Sequence, residues 1–165
     1  MKALRRVADA SVMLAKWAAI AAAAVMAVMI FLQVIYRYVL ADSLSYSEEL
    51  ARYMFVWSVA LGSALALRNR AHIGVELVVE RLPQRLARPA KLLAGALNLL
   101  FFGLLIRYGI EMVAATMDQE SAALSLPMGY VYLAVPVSGV VLFLCETANL
   151  VDDHFGGAPA ASGEV

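Results

Sequence analysis

The chain has 165 residues, of which 63% are hydrophobic, and its 13 basic residues balance its 13 acidic residues. Soluble domains are usually about 45–50% apolar, so this composition excludes an ordinary soluble domain and points to a lipid bilayer. The single cysteine, Cys145, excludes a disulfide framework within the chain and a metal site built from Cys-x-x-Cys motifs. We expect this thiol to be buried and inert.

Four segments are long and apolar enough to cross a bilayer, which takes roughly 20 residues of helix. They are predicted at about 15–36, 46–67, 91–117 and 127–150. The first could be mistaken for a secretory signal, but its apolar run exceeds the 7–15 residues typical of the apolar part of such a signal. We therefore expect this segment to be retained as the first membrane helix. Pro136 should kink the fourth segment, because proline has no N–H to donate to the carbonyl of Tyr132.

The basic residues predict the orientation of these segments. Four precede the uncharged run 17–36 of the first segment and six lie from residue 68 to residue 91, which places ten of the 13 on one side. These ten are Lys2, Arg5, Arg6, Lys16, Arg68, Arg70, Arg81, Arg85, Arg88 and Lys91. Because Lys and Arg accumulate on the cytoplasmic side of membrane proteins, both termini are predicted to be cytoplasmic.

The segment 72–82 is too short to span a membrane, and it ends at Pro83. One helical face of it is apolar, at Val75, Val78, Val79 and Leu82. This pattern predicts a short amphipathic helix in the cytoplasmic interface. A β-strand is an alternative, but its edges would be unpaired there. The one-turn spacing of His72, Glu76 and Glu80 would also suit a metal ion, although a solvated polar face is far commoner, so no metal site is predicted.

These patterns predict an all-α integral membrane protein: four transmembrane helices plus the short interfacial helix. Residues 1–153 would form one membrane domain, and residues 154–165, which are small and polar, a flexible cytoplasmic tail. Both histidines lie in predicted cytoplasmic segments, and no glycine-rich phosphate loop or nucleophile–base constellation is present. We therefore predict neither enzymatic activity nor a cofactor.

Charged residues stand near the predicted membrane edges. Glu48 and Glu49 open the second span, and Arg52 follows Glu48 by one helical turn. They form either a helix end with an intrahelical ion pair or a contact for a partner protein, and both hypotheses stay open. Arg107 and Glu111 form a similar pair near the outer end of the third span. Glu146 lies near the cytoplasmic end of the fourth, where we expect it to be hydrated.

The stretch SEELARY at residues 47–53 and the stretch SLPMGYVYLAVPVSG at residues 125–139 resemble a known family. It is the small membrane subunit of tripartite ATP-independent periplasmic (TRAP) transporters, the DctQ type. The family-motif and candidate partner-interface residues are Glu48, Glu49, Arg52, Trp57, Gly62, Arg68, Arg70, His72, Gly74, Glu76 and Pro83. The family often has aspartate where Glu76 stands, which is a mild departure.

The resemblance implies a scaffold subunit in the inner membrane of a bacterium. Such a subunit pairs with a large permease subunit that holds the substrate and sodium sites. A soluble periplasmic protein delivers an organic acid, such as a C4-dicarboxylate or sialic acid, and symport is driven by the sodium gradient. The acidic motif would then face the periplasm, whereas Arg68, Arg70 and the interfacial helix would meet anionic lipid headgroups.

Two other hypotheses fit the four spans. A small four-helix multidrug exporter has a similar architecture, but such proteins carry a glutamate inside the first helix. Here the polar group near the outer end of that helix is Gln33. The other hypothesis is a structural subunit of a different membrane complex.

Overall fold

The computed structural model describes the backbone of residues 2–42, 44–68 and 84–155, and the side chains of residues 4–42, 44–68 and 89–151. Nearly all of this described part is helical. Its helices are α1 (Lys2–Val39), α2 (Ser45–Arg68), α3 (Gln84–Thr116), α4 (Gly129–Tyr132) and α5 (Ala134–Phe155). The predicted interfacial helix at 72–82 lies outside the described residues.

Within the described residues, four helical segments are long and apolar enough to cross a membrane, which confirms the predicted all-α membrane fold. They are Leu4–Val39, Ser45–Arg68, Pro89–Thr116 and Gly129–Val151. The first helix begins well before the predicted start of its span. The reason is a buried stripe at helical spacing, Ala8, Val12 and Ala15, which continues the packed face of α1 beyond the uncharged run.

The fourth span consists of α4 and α5, which are separated at Leu133. The break lies beside Tyr132, whose carbonyl would pair with residue 136 in an unbroken helix. Because Pro136 has no N–H, that hydrogen bond cannot form. The interruption is therefore consistent with the kink predicted from the sequence.

Helix α5 is the centre of the bundle. Among the described residues it packs against α1, α2 and α3, whereas no Cα atom of α3 lies within 8 Å of a Cα atom of α1 or α2. The buried core joins these elements and consists of Val12, Ala64, Leu67, Phe102, Leu142 and Cys145. The thiol of Cys145 is buried, as predicted.

Glycines bring α3 and α5 close together. A Cβ atom at Gly109 would lie 2.9 Å from Cδ and 3.1 Å from the backbone nitrogen of Pro136. A Cβ atom at Gly139 would lie 3.0 Å from Cγ1 of Ile106. Lipid tails are as apolar as leucine, so helices associate in membranes through close packing, which small residues allow.

We expect Gly109→Val to destabilise the α3–α5 contact, because a proline ring and its backbone occupy the space that valine needs. The free energy of unfolding should fall by about 1–3 kcal/mol, the usual cost of overpacking. It is measured by titrating the purified chain with SDS and following its fluorescence.

Gly103→Val is the matched control in the same helix, because a Cβ atom at Gly103 meets nothing within 4 Å. An equal loss of stability in both variants would attribute the effect to valine in a helix and would contradict the packing explanation.

Candidate functional site

Glu49 connects α2 to the loop between α3 and α4. One carboxylate oxygen, Oε2, accepts the backbone N–H groups of Ala123 at 2.8 Å and Leu124 at 3.0 Å. The other, Oε1, accepts the hydroxyl of Tyr53, which lies one turn along α2. Two consecutive amides on one carboxylate form charge-assisted hydrogen bonds, which are stronger than neutral ones. Glu49 therefore fixes this loop to the bundle.

The loop itself is a compact turn. The N–H of Ser121 donates to the carbonyl of Leu126 at 2.9 Å, and the N–H of Met128 donates to the carbonyl of Gln119 at 2.8 Å. Ser125 reverses the chain with a φ of 49°, a left-handed conformation that is uncommon outside glycine. These bonds hold the loop in the shape that presents two amides to Glu49. We name the end of the bundle formed by Glu49 and residues 117–128 the Glu49 end.

Glu48 and Arg52 point away from the bundle. Oε1 of Glu48 accepts Nη2 of Arg52 at 2.9 Å, and the side chains are 66% and 68% exposed, respectively. The intrahelical pair is therefore confirmed, and it leaves both residues accessible to a partner. The three charged motif residues thus separate into one that fastens a loop and two that face outward.

Arg68 fastens the opposite end of the bundle. Its Nε and Nη2 donate to Oδ1 of Asp9 at 3.0 and 2.7 Å, and its Nη1 donates to Oδ1 of Asn149 at 2.7 Å. Nδ2 of Asn149 donates in turn to the carbonyl of Leu67 at 3.2 Å. This network joins α1, α2 and α5, and we name this the Asp9 end. The Arg68 side chain is only 17% exposed, and its described contacts are within the chain. The predicted contact of Arg68 with lipid headgroups stays a prediction.

Glu146 is buried between α3 and α5, where we had expected it to be hydrated. Its exposed fraction is 7%, and its Oε1 accepts Nδ2 of Asn98 at 3.1 Å. Neither this contact nor the roles of Asp9 and Asn149 were predicted from the sequence. The available signal was the spacing of Glu146 and Asn149, one turn apart on an apolar helix.

The remaining predicted residues divide into two groups. Trp57 is half-buried on α2, and Gly62 is partly exposed, with nothing within 4 Å of an added Cβ atom. The other group lies outside the residues that the structure describes: Arg70, His72, Gly74, Glu76 and Pro83. The possible metal set of His72, Glu76 and Glu80 lies there too. Within the described ranges, no group of three or more metal-ligating side chains is assembled.

The Arg107–Glu111 pair predicted on α3 is confirmed at 2.9 Å. Its side chains are 74% and 53% exposed, respectively, so it too faces outward. The two outward-facing intrahelical ion pairs, Glu48–Arg52 on α2 and Arg107–Glu111 on α3, therefore both lie toward the Glu49 end.

We expect Glu49→Gln to loosen the loop, because glutamine keeps an acceptor oxygen but loses the charge that strengthens the bonds to Ala123 and Leu124. The amides of these two residues should exchange about tenfold faster or more, since bonds to charged acceptors are roughly twice as strong as neutral ones. Hydrogen–deuterium exchange of the purified chain measures this.

Glu48→Gln removes the same charge one residue away and keeps both amide bonds. In this variant the amides of Ala123 and Leu124 should therefore exchange at the same rate as in the unmodified chain. If all three proteins exchange alike at these amides, Glu49 does not hold the loop.

The sequence pattern of one protein family covers most of this fold. The family described as "Tripartite ATP-independent periplasmic transporters, DctQ component" matches residues 26–155. That range includes α2 to α5, the Glu49 loop and the last part of α1, residues 26–39.

Individual relatives agree with this match. A small permease protein ascribed to a TRAP transporter of Haemophilus influenzae is 25% identical over 140 residues, which cover 84% of each chain. The sialic acid TRAP transporter small permease protein SiaQ of Vibrio cholerae is 27% identical over 76% of this chain and 75% of its own. The isethionate TRAP transporter permease protein DctMQ of Oleidesulfovibrio alaskensis is 30% identical over 114 residues, which are 64% of this chain but 18% of that protein. The chain belongs to the DctQ component family of tripartite ATP-independent periplasmic transporters, and it is a multi-pass membrane protein of that family.

Proposed function

We propose that this chain is the small scaffold subunit of a TRAP transporter, which supports sodium-driven uptake of an organic acid by a large permease subunit. The observation that carries the proposal is the position and the pairing of the charged side chains in the described spans. Each charged cluster described above lies toward an end of the bundle and has a partner within this chain. A desolvated ion or substrate must instead be offered ligands near the midplane.

The central parts of α1 and α2 have no charged side chain that could bind an ion or a charged substrate. No charged residue occurs from Trp17 to Tyr36 or from Tyr53 to Leu67. The buried carboxylate of Glu146 is bonded to Asn98, and Glu146 lies within the last two turns of the fourth span, Gly129–Val151, toward the Asp9 end. These features favour a subunit that is held in place over one that carries the transport site.

The relatives support a large permease partner. The segment of DctMQ that matches this chain is only 18% of that protein, so in this relative the homologous part belongs to a much longer permease polypeptide. The names of DctMQ and SiaQ specify isethionate and sialic acid, both organic anions. We therefore propose an organic acid as the substrate class and a periplasmic binding protein as the component that delivers it.

We also propose an orientation in the bacterial inner membrane. The Asp9 end would be cytoplasmic, together with both termini, because the sequence pattern predicts ten of the 13 basic residues on this side. The Glu49 end would then face the periplasm. Six of the seven tyrosines lie within the last turn of α1, the first three turns of α2 or α4, with Tyr108 in the later half of α3. Tyrosines gather at membrane interfaces, which supports a boundary there.

Cysteine labelling tests this orientation. With Cys145→Ala as the background, Ala122→Cys at the Glu49 end should react with an impermeant maleimide added to intact cells. Arg6→Cys, which is also an exposed position, should react only after the inner membrane is opened. The reverse pattern would place both termini in the periplasm.

Reconstitution tests the division of labour. The purified chain alone, in liposomes with a sodium or pH gradient, should transport neither organic acids nor drug cations. Uptake should require the large permease subunit, a substrate-loaded periplasmic protein and a sodium gradient, because the ion and substrate ligands are supplied by other chains.

A matched set of liposomes that lacks only this chain shows whether it is needed. Robust flux by the chain alone would overturn the scaffold function and favour the small multidrug exporter.

A further inference from the structure

A lateral groove opens between α2 and α3. Within the described residues no Cα atom of one helix lies within 8 Å of a Cα atom of the other, and α5 forms the floor between them. The groove has a volume of about 320 Å³. Its walls are Ala60 and Ser63 on α2 and Phe101, Phe102 and Leu105 on α3. Its floor is Val135, Ser138 and Leu142 on α5. In the membrane, this groove must be filled by something other than water.

The outward face of α2 continues from this groove and differs from the outward faces of α1 and α3. It carries Phe55, Val59, Gly62 and Ala66, at helical spacings of four, three and four residues, and it reaches the Glu48–Arg52 pair. The outward face of α3 is rich in leucine, at Leu93, Leu97 and Leu100. The outward face of α1 combines Leu14, Trp17 and Phe31 with small exposed residues, Ala18, Ala21, Ala24 and Ala27. The leucine-rich face of α3 suits lipid tails.

The composition of α2 points the same way. It is the least apolar of the four spans, yet only 28% of its central window is buried within this chain. Interfaces between membrane helices are enriched in small residues, and polar side chains in a span are usually covered by protein. The surface of α2 therefore requires a protein neighbour more than the surface of α1 or α3 does.

We propose that the α2–α3 groove and the adjoining outward face of α2 seat a transmembrane helix of the large permease subunit. This inference rests on the proposed function. The identity of the occupant comes from DctMQ, in which the segment homologous to this chain is part of the same polypeptide as a longer permease. A permease helix would pack its side chains between Phe101 and Ser63, and Gly62 and Ala66 would let its backbone approach α2.

Photo-crosslinking in membranes tests where the helix sits. The full chain is produced together with its large permease subunit, and p-benzoylphenylalanine replaces Val59 or Ala66 on α2. Both positions are exposed in this chain, so the bulky group has room. Each should form an adduct with the large subunit. The same replacement at Phe31 on α1 or Leu100 on α3, which are 66% and 60% exposed, should label lipid only.

A pair of glycine variants tests the close approach. Gly62→Leu should lower the amount of large subunit that co-purifies with the tagged chain by about tenfold, the change that 1.4 kcal/mol of overpacking produces. Gly103→Leu should leave co-purification unchanged. Added Cβ atoms at both glycines meet nothing within 4 Å, so both variants should fold alone equally well.

The outcomes separate this inference from the proposed function. If no large permease subunit co-purifies with the unmodified chain, both fail. If it co-purifies but is crosslinked from Phe31 or Leu100 and not from α2, only the location is wrong. Adducts of phospholipid alone at Val59 and Ala66 would make the groove a lipid site and would also overturn the inference.

Discussion

Two polar side chains on α5, Glu146 and Asn149, connect this helix to the three other spans. Asn149 binds Arg68, which also binds Asp9, so α5 is tied to α2 and α1 at one level. Glu146 binds Asn98 one turn away and ties α5 to α3. Hydrogen bonds between membrane helices contribute only about 0.6 kcal/mol on average, so these contacts set the register of the helices more than they hold them together. The close contacts at Gly109 and Gly139 supply the packing that the register makes possible.

The Glu49 end uses the same chemistry on a loop. A loop at a membrane surface has backbone amides that need partners, and Glu49 satisfies two of them with one carboxylate. Because the loop is also closed by its own backbone bonds, α3 and α4 are joined by a fixed turn rather than a loose connection. The bundle is thus fastened at both ends, which suits the proposed scaffold function.

That surface is uneven in composition. The outward face of α3 carries exposed leucines along its first half, whereas α2 is the least apolar span and presents Gly62, Ala66 and an ion pair beside an open groove. A helix bundle that has no partner protein would bury its least apolar span among its own helices. In this chain α5, which is more apolar than α2, takes the central position, and this arrangement favours a permanent neighbour beside α2.

The sequence was sufficient to predict four spans, because each apolar run in a bilayer must satisfy its own backbone hydrogen bonds as a helix. It also predicted the Glu48–Arg52 and Arg107–Glu111 pairs, since residues four apart on a helix are neighbours. It did not reveal that α1 begins near residue 2, since the early turns carry charges that an apolar-run criterion excludes.

The tertiary structure alone decided which charged residues turn inward. Glu48 and Glu49 are adjacent in sequence, but only Glu49 faces a loop whose amides lie 74 and 75 residues further along the chain. Arg68 and Glu146 are buried for the same reason, because Asp9, Asn98 and Asn149 reach them only once the helices have packed. Local spacing determines which residues share a helical face, but the partner of a buried charge depends on contacts between distant segments.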